Sequence, residues 1–196
     1  MPPRIFCLVG ATDDLSLVPA IAAAGVDGFQ VRAKGLADAA LLAFAEAVVA
    51  AVRPFGAVVV VNDRVDVALA SGAHGVHLGR DDLPVAVARR LAPDLFVGAT
   101  CRDRDQAQQA AIDGADYAGF GPVFATASKA GLPAPLGTEA LRVAAGILPL
   151  VGIGGIDAVT ARPVLAAGAE GVAVIGTIWR HRDPVAAARE LVEAVA

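Results

Sequence analysis

The chain has 196 residues, two cysteines and a formal net charge of −4 at pH 7. This length suits one domain with a sizeable core, the absence of a large basic patch argues against a nucleic-acid partner, and no apolar run approaches the roughly 20 residues that a membrane span needs. Two cysteines without a CxxC pair cannot form a disulfide framework, so the sequence predicts a protein of the reducing cytoplasm.

Short apolar segments alternate with segments of helical spacing along the whole chain. The predicted strands are 5–9, 28–32, 57–61, 75–78, 96–99, 117–121, 149–153 and 171–175. The predicted helices are 15–24, 38–52, 64–71, 84–92, 104–113, 137–146, 158–167 and 183–195. Strict alternation predicts a parallel sheet, and eight such units close into a TIM (β/α)8 barrel. We therefore expect an α/β fold with one compact domain over 1–196 and short loops.

Polar side chains alternate along the second predicted strand. Gln30, Arg32 and Lys34 share one of its faces, and polar groups on the inner face of a barrel are costly unless they are paired or near solvent. Active sites of this fold lie at the carboxyl ends of the strands, so we expect these three residues to bind a ligand. The chain has 14 Arg but only two Lys, Lys34 and Lys129, which favours positions where a compact ammonium is needed.

Asn62 and Asp63 follow the buried-looking strand "VVVV" and allow two interpretations. They can cap the next helix, or they can form a metal or substrate site. The neighbouring fourth strand ends in Asp81 and Asp82, and two close carboxylates repel unless a cation lies between them. Carboxylates completed by water and phosphate are the usual Mg²⁺ arrangement. His77, in the same strand, is interpreted as a hydrogen-bonded histidine of the barrel wall.

Hydroxyl groups follow the fifth and sixth predicted strands. Thr100 and Cys101 end strand 5, and Cys101 is interpreted as a packing residue because no histidine lies in a neighbouring motif. After strand 6, Thr126, Ser128 and Lys129 provide two hydroxyls and a cation that suit phosphate oxygens.

Glycines follow the last two predicted strands, in "VGIGGID" and "AVIGTIW". In this fold such glycines, leading into helices, form a phosphate site. The cations and acids elsewhere at the mouth exceed what one phosphate monoester needs and indicate a pyrophosphate. No residue resembles an activated nucleophile or a poised base, so the mouth favours a transferase with a pyrophosphate leaving group over an isomerase.

Four stretches carry a family resemblance: "QVRAK", "VNDRVDVALASGAHGVHLGRDDLP", "GADYAGFGPVFATASK" and "VGIGGI". The chain resembles the thiamine phosphate synthase (thiamine-phosphate pyrophosphorylase) family, within the superfamily shared with thiazole tautomerases. The resemblance implies a TIM barrel that joins hydroxymethylpyrimidine pyrophosphate to hydroxyethylthiazole phosphate. Pyrophosphate would leave with the help of Mg²⁺, and the thiazole nitrogen would capture the pyrimidine carbocation.

The resemblance also implies roles for individual residues. Arg32, Lys34 and Lys129 resemble the catalytic cations, and Asp63 and Asp82 resemble the Mg²⁺ ligands. The implied substrate contacts are Gln30, Asn62, Thr100, Thr126, Ser128, Gly155, Ile175 and Gly176.

Several positions depart from the family pattern. Ala33 replaces a common Glu, "GRDD" replaces Gly-Gln-Glu-Asp, and Ala125 replaces Pro. Loss of the Glu could reduce activity or alter substrate choice, and Arg80 could serve the pyrophosphate instead. Two alternatives stay open: a thiazole tautomerase-like isomerase, although "ATCRDRDQA" lacks the catalytic His of that group, and a non-catalytic paralogue that binds thiazole or thiamine phosphate. A homo-oligomer also stays open.

Overall fold

A computed structural model of the chain describes residues 1–126 and 134–196. Its eight parallel strands close into a barrel in which each strand pairs with the next and the eighth pairs with the first. The strands are β1 Ile5–Val9, β2 Gly28–Val31, β3 Val58–Asn62, β4 Gly75–Leu78, β5 Phe96–Cys101, β6 Tyr117–Phe120, β7 Leu150–Ile153 and β8 Gly171–Val174. The predicted TIM-barrel fold is therefore confirmed.

Helices follow the strands around the outside of the barrel. They are α1 Val18–Ala23, α2 Asp38–Val52, α3 Val65–Ser71, α4 Val85–Leu91, α5 Arg104–Ile112, α6 Gly137–Ala144, α7 Ala158–Ala166, α8 Gly176–Trp179 and α9 Pro184–Val195. Predicted and observed ends agree to within about two residues, except that the first predicted helix opens with a 3-10 turn, Leu15–Leu17. The sequence did not predict α8, because one helical turn is too short to show a period.

The strands are buried on both faces, as a barrel wrapped in helices requires. Val59, Val60 and Val61 are all fully buried. Val59 and Val61 belong to the layer between the barrel and the helices, whereas Val60 belongs to the cluster inside the barrel. The "VVVV" run is thus explained by a strand that packs on both sides. Within the described ranges, no helix is long and apolar enough to cross a membrane.

Tyr117 fills the centre of the barrel. Its ring stacks on Phe6, with centroids 5.5 Å apart, and on Phe96, with centroids 5.0 Å apart. Gly98 makes room for it, because a Cβ at this position would lie 2.2 Å from the Tyr117 ring. The packed rings form a floor beneath the carboxyl ends of the strands.

Candidate active site

One cavity of about 1030 Å³ opens at the carboxyl ends of the strands. The predicted site residues that line it are Gln30, Arg32, Lys34, Asn62, Asp63, Asp82, Thr100, Thr126, Gly155, Ile175 and Gly176. Ser128 and Lys129 lie outside the described residues. The structure therefore brings every described candidate to one place, while the role of each residue stays a prediction.

The Asp63 side chain does not cap the helix that follows it. Its φ of 68° lies in the left-handed region, and its N–H donates to the carbonyl of His77 at 2.8 Å. Helix α3 begins at Val65 after an N-cap at Arg64, with no side-chain cap. The helix-capping interpretation of Asn62 and Asp63 is therefore wrong. Instead, Lys34 Nζ lies 3.2 Å from Asp63 Oδ2.

Asp63 and Asp82 face each other across the ends of neighbouring strands. Partial burial, then the contact with Asp82, raises the pKa of Asp63. Partial burial acts in the same direction on Asp82, but hydrogen bonds from Asp63 and from the Gly79 N–H outweigh it and lower the pKa of Asp82. The Gly79 N–H donates to Asp82 Oδ2 at 2.6 Å. The two acids thus shift each other's pKa in opposite directions, whereas the Asp81 side chain is 96% exposed.

This acidic pair suits a divalent cation such as Mg²⁺. Two carboxylates in contact hold a proton between them when no other cation separates them, and Mg²⁺ commonly takes one or two carboxylates with water and substrate phosphates. Within 1–126 and 134–196, no group of three or more His, Cys, Asp and Glu side chains could hold a metal. The two carboxylates therefore suit a cation whose remaining ligands come from water and from the bound substrate.

Several cations line the cavity that holds the acidic pair, including two that the sequence did not predict. Arg102 and Arg180 line the cavity together with Arg32 and Lys34. Arg102 Nη2 donates to the carbonyl of Ala134 at 3.2 Å, while its Nε is buried without a hydrogen-bond partner in the described part of the chain. Arg102 stands two positions after Thr100, so the alternation that singled out Gln30, Arg32 and Lys34 could have found it.

The glycine-rich turns after β7 and β8 form the far side of the cavity. Gly155 has a φ of 65°, and a Cβ there would lie 2.4 Å from the carbonyl oxygen of Ala125. The close approach ties this turn to the segment after β6. Ile175 and Gly176 begin α8, where backbone N–H groups of a first helical turn have no partner within the helix. The arrangement suits an anion held by backbone donors.

His77 and Cys101 are both buried and uncharged. The ring of His77 contacts Thr100 Oγ1 through Nε2 at 3.0 Å and the Tyr117 hydroxyl through Nδ1 at 3.1 Å. Burial lowers the pKa of His77 to about 4, so the ring is neutral at pH 7. Burial also raises the pKa of Cys101 to about 12, which leaves an unreactive thiol. The predictions of a barrel-wall histidine and a packing cysteine are confirmed.

A closed (β/α)8 barrel whose mouth gathers cations, paired carboxylates and glycine-rich turns defines an enzyme that handles phosphorylated small molecules. The family model for thiamine monophosphate synthase matches residues 5–178, and the chain belongs to this family. It is 44% identical to the thiamine-phosphate synthase of Chlorobium luteolum, over 95% of this chain and 91% of the relative.

Two further comparisons agree with this membership. The chain is 48% identical, over 97% of its length, to the thiamine biosynthesis bifunctional protein ThiM/ThiE of Symbiobacterium thermophilum, of which it covers 40%. The solved structure of a thiamine phosphate pyrophosphorylase from Pyrococcus furiosus superposes with a TM-score of 0.90 at 33% identity, covering 98% of this chain and 95% of that one. The predicted family, its transferase class and its place in thiamine biosynthesis are confirmed.

Proposed function

We propose that this chain transfers the pyrimidine group of hydroxymethylpyrimidine pyrophosphate to the ring nitrogen of hydroxyethylthiazole phosphate. The C–O bond to pyrophosphate breaks, a C–N bond to the thiazole forms, and the products are thiamine phosphate and pyrophosphate. The observation that carries the proposal is the contact of Asp63 with both Asp82 and Lys34 inside the cavity.

The acidic pair would hold Mg²⁺, with Lys34 beside it. The metal supplies positive charge that stabilises the departing pyrophosphate. Asp82 is already oriented for this task, because the Gly79 N–H holds one of its oxygens at 2.6 Å. Asp63 is oriented by its left-handed backbone and by the 3.2 Å contact with Lys34.

Arg32 and Lys34 supply the remaining charge for the pyrophosphate. Both lie just beyond the end of β2 and line the cavity. Charge-assisted hydrogen bonds to phosphate oxygens that gain charge in the transition state accelerate bond cleavage. His77 is neutral and Cys101 is protonated, so neither supplies an activated nucleophile. The described cavity residues therefore favour departure of the leaving group by charge neutralisation.

The thiazole phosphate would bind at the opposite side of the mouth. Thr126, Gly155, Ile175 and Gly176 line this region, and their backbone and hydroxyl donors suit a phosphate monoester. Lys129, known here only from its place in the sequence, is expected to reach both substrates.

Pyrophosphate release tests the proposal directly. The intact chain should release pyrophosphate only when both substrates and Mg²⁺ are present, and thiamine phosphate should appear in equal amount. Asp82→Asn should remove this activity and Asp81→Asn should retain it. Conversion of one thiazole substrate without metal would indicate a tautomerase, and binding without turnover would indicate a non-catalytic paralogue.

A further inference from the structure

A network of hydrogen bonds runs along the inner wall of the cavity, and the proposed reaction does not use it. His77 bridges the hydroxyls of Thr100, at 3.0 Å, and Tyr117, at 3.1 Å. Burial raises the pKa of Tyr117, and a contact with the Gln30 side chain partly offsets that rise. These contacts join two predicted substrate-binding residues, Gln30 and Thr100. The residues between them, His77 and Tyr117, have no role in the proposed reaction.

The packing of the barrel interior holds these hydrogen-bonded side chains in place. Gln30 is 6% exposed, His77 9% and Tyr117 1%. A Cβ at Gly119 would lie 2.9 Å from His77 Cε1, and a Cβ at Gly98 would lie 2.2 Å from the Tyr117 ring. The two rings therefore fit only because glycine faces each of them. Since Tyr117 is also stacked on both of its faces, the hydrogen-bonded groups have little freedom to turn.

One arrangement of the protons along these hydrogen bonds leaves a donor for the substrate. In this arrangement, the Gln30 side-chain amide donates to the phenolic oxygen of Tyr117. The Tyr117 hydroxyl then donates its proton to Nδ1 of His77. A neutral imidazole has one N–H, which must be at Nε2, and it donates to Thr100 Oγ1. The proton of the Thr100 hydroxyl is left to point into the cavity.

We propose that His77 is a positioning residue that fixes the Thr100 hydroxyl as a hydrogen-bond donor to the pyrimidine substrate. The inference rests on the proposed function, because it needs that substrate in the cavity. Pyrimidine ring nitrogens and phosphate oxygens are both acceptors, and either can receive this proton. A site built around a fixed donor rejects analogues that lack the matching acceptor. These hydrogen bonds therefore set the specificity for the pyrimidine substrate as well as its orientation.

The tautomer of His77 can be read without any substrate. In the full chain labelled with ¹⁵N-histidine, the side-chain resonances of His77, identified by their loss in His77→Gln, should show a proton on Nε2 and none on Nδ1 at neutral pH. Tyr117→Phe keeps the stacked ring but removes the donor to Nδ1, so a fraction of the Nδ1–H tautomer should appear. A protonated Nδ1 in the unsubstituted chain would overturn the inference.

The effect on substrate is measured as the dissociation constant of hydroxymethylpyrimidine pyrophosphate by calorimetry, with the turnover assay run in parallel. Tyr117→Phe should weaken this binding roughly fivefold to tenfold, the effect of one neutral hydrogen bond, and should leave KM for the thiazole substrate unchanged. His77→Gln should bind better than His77→Leu, because the Gln amide retains a donor near the position of Nε2.

A double-substitution test shows whether these effects pass through Thr100. In a Thr100→Val background, Tyr117→Phe should cause no further loss of binding, because the hydroxyl that it orients is gone. An equal loss in both backgrounds, or no binding of this substrate by the unsubstituted chain, would overturn the inference. Binding with the expected pattern but no turnover would instead contradict the proposed function alone.

Discussion

Lys34 Nζ lies 3.2 Å from Oδ2 of Asp63, a non-glycine residue held at a φ of 68°. Asp tolerates the left-handed region better than most residues, yet the conformation still costs free energy. It persists because the Asp63 N–H bonds to the carbonyl of His77 at 2.8 Å, across to the neighbouring strand. The turn places a carboxylate beside both a cation and Asp82, which a helix cap would not require.

Asp63→Asn is expected to separate the metal-site interpretation from a structural one. Asn adopts the left-handed region as readily as Asp, and no cap is lost, so Asp63→Asn should not lower the free energy of unfolding. Turnover should fall by orders of magnitude and the Mg²⁺ concentration needed for half-maximal rate should rise. Denaturant unfolding and a Mg²⁺ titration of the rate measure the two effects. Unchanged turnover with a loss of about 1 kcal/mol would contradict the metal role.

Asp82 and Asp81 form a matched pair of adjacent acids. Asp82 contacts Asp63 and the Gly79 N–H, whereas the Asp81 side chain is 96% exposed. Asp82→Asn should therefore impair Mg²⁺-dependent turnover severely, and Asp81→Asn should leave it within about twofold, since exposed substitutions have small effects. Steady-state rates at saturating and limiting Mg²⁺ compare the two variants. Equal loss in both would indicate a general effect of negative charge at the mouth.

The raised pKa of Asp63 predicts a pH dependence of stability in the metal-free protein. A carboxyl whose pKa is higher in the folded state stabilises the fold below its ordinary value of 3.8, and this contribution is lost as the pH rises through the folded-state pKa. Relative to Asp63→Asn, the metal-free protein should therefore lose stability between acid and neutral pH. Urea unfolding with and without Mg²⁺ tests this, because saturating Mg²⁺ should reverse the difference at neutral pH.

Asp157 fixes the start of α7 beside the glycine-rich turn. Its carboxylate accepts from the Thr160 N–H at 2.8 Å, and these hydrogen bonds lower its pKa. A lowered pKa contributes stability above the ordinary value of 3.8 that is lost as the pH falls through the folded-state pKa. Asp157→Ala should cost about 0.5–2 kcal/mol at pH 7 and less in acid. Asp157→Asn is the control, since it keeps the cap but has no charge to titrate.

The sequence placed most of the cavity-lining residues at strand ends, because periodicity shows where each strand ends and a TIM barrel opens at the carboxyl ends of its strands. Gln30, Arg32 and Lys34 were found by alternation along one strand. Strand periodicity alone left Asp81 and Asp82 as equal candidates, and only the family resemblance named Asp82. The structure shows how they differ, because the turn after β4 puts Asp82 on the Gly79 N–H and leaves Asp81 in solvent.

The hydrogen bonds between Tyr117 and His77 were not predicted, for a different reason. Tyr117 lies in an apolar segment, and its partner His77 is forty positions away. Their contact depends on barrel register, which pairs β4 with β5 and β5 with β6. The glycines that face these rings in β5 and β6 carry no chemistry of their own, so their spacing becomes meaningful only once the strands are placed side by side.

Gly98 offers a test of how tightly the floor of the cavity is packed. A Cβ there would lie 2.2 Å from the Tyr117 ring, so Gly98→Ala should destabilise the protein by about 1–3 kcal/mol through overpacking. Gly10→Ala is the control, because its nearest contact is a side-chain oxygen of Asp13 at 3.4 Å. Chemical unfolding should show the large loss only at Gly98, and Tyr117→Leu should recover part of it by removing the ring. A small change at Gly98 would mean that the stacked rings can shift, and the hydrogen bonds that link Tyr117 to His77 would then be loosely held.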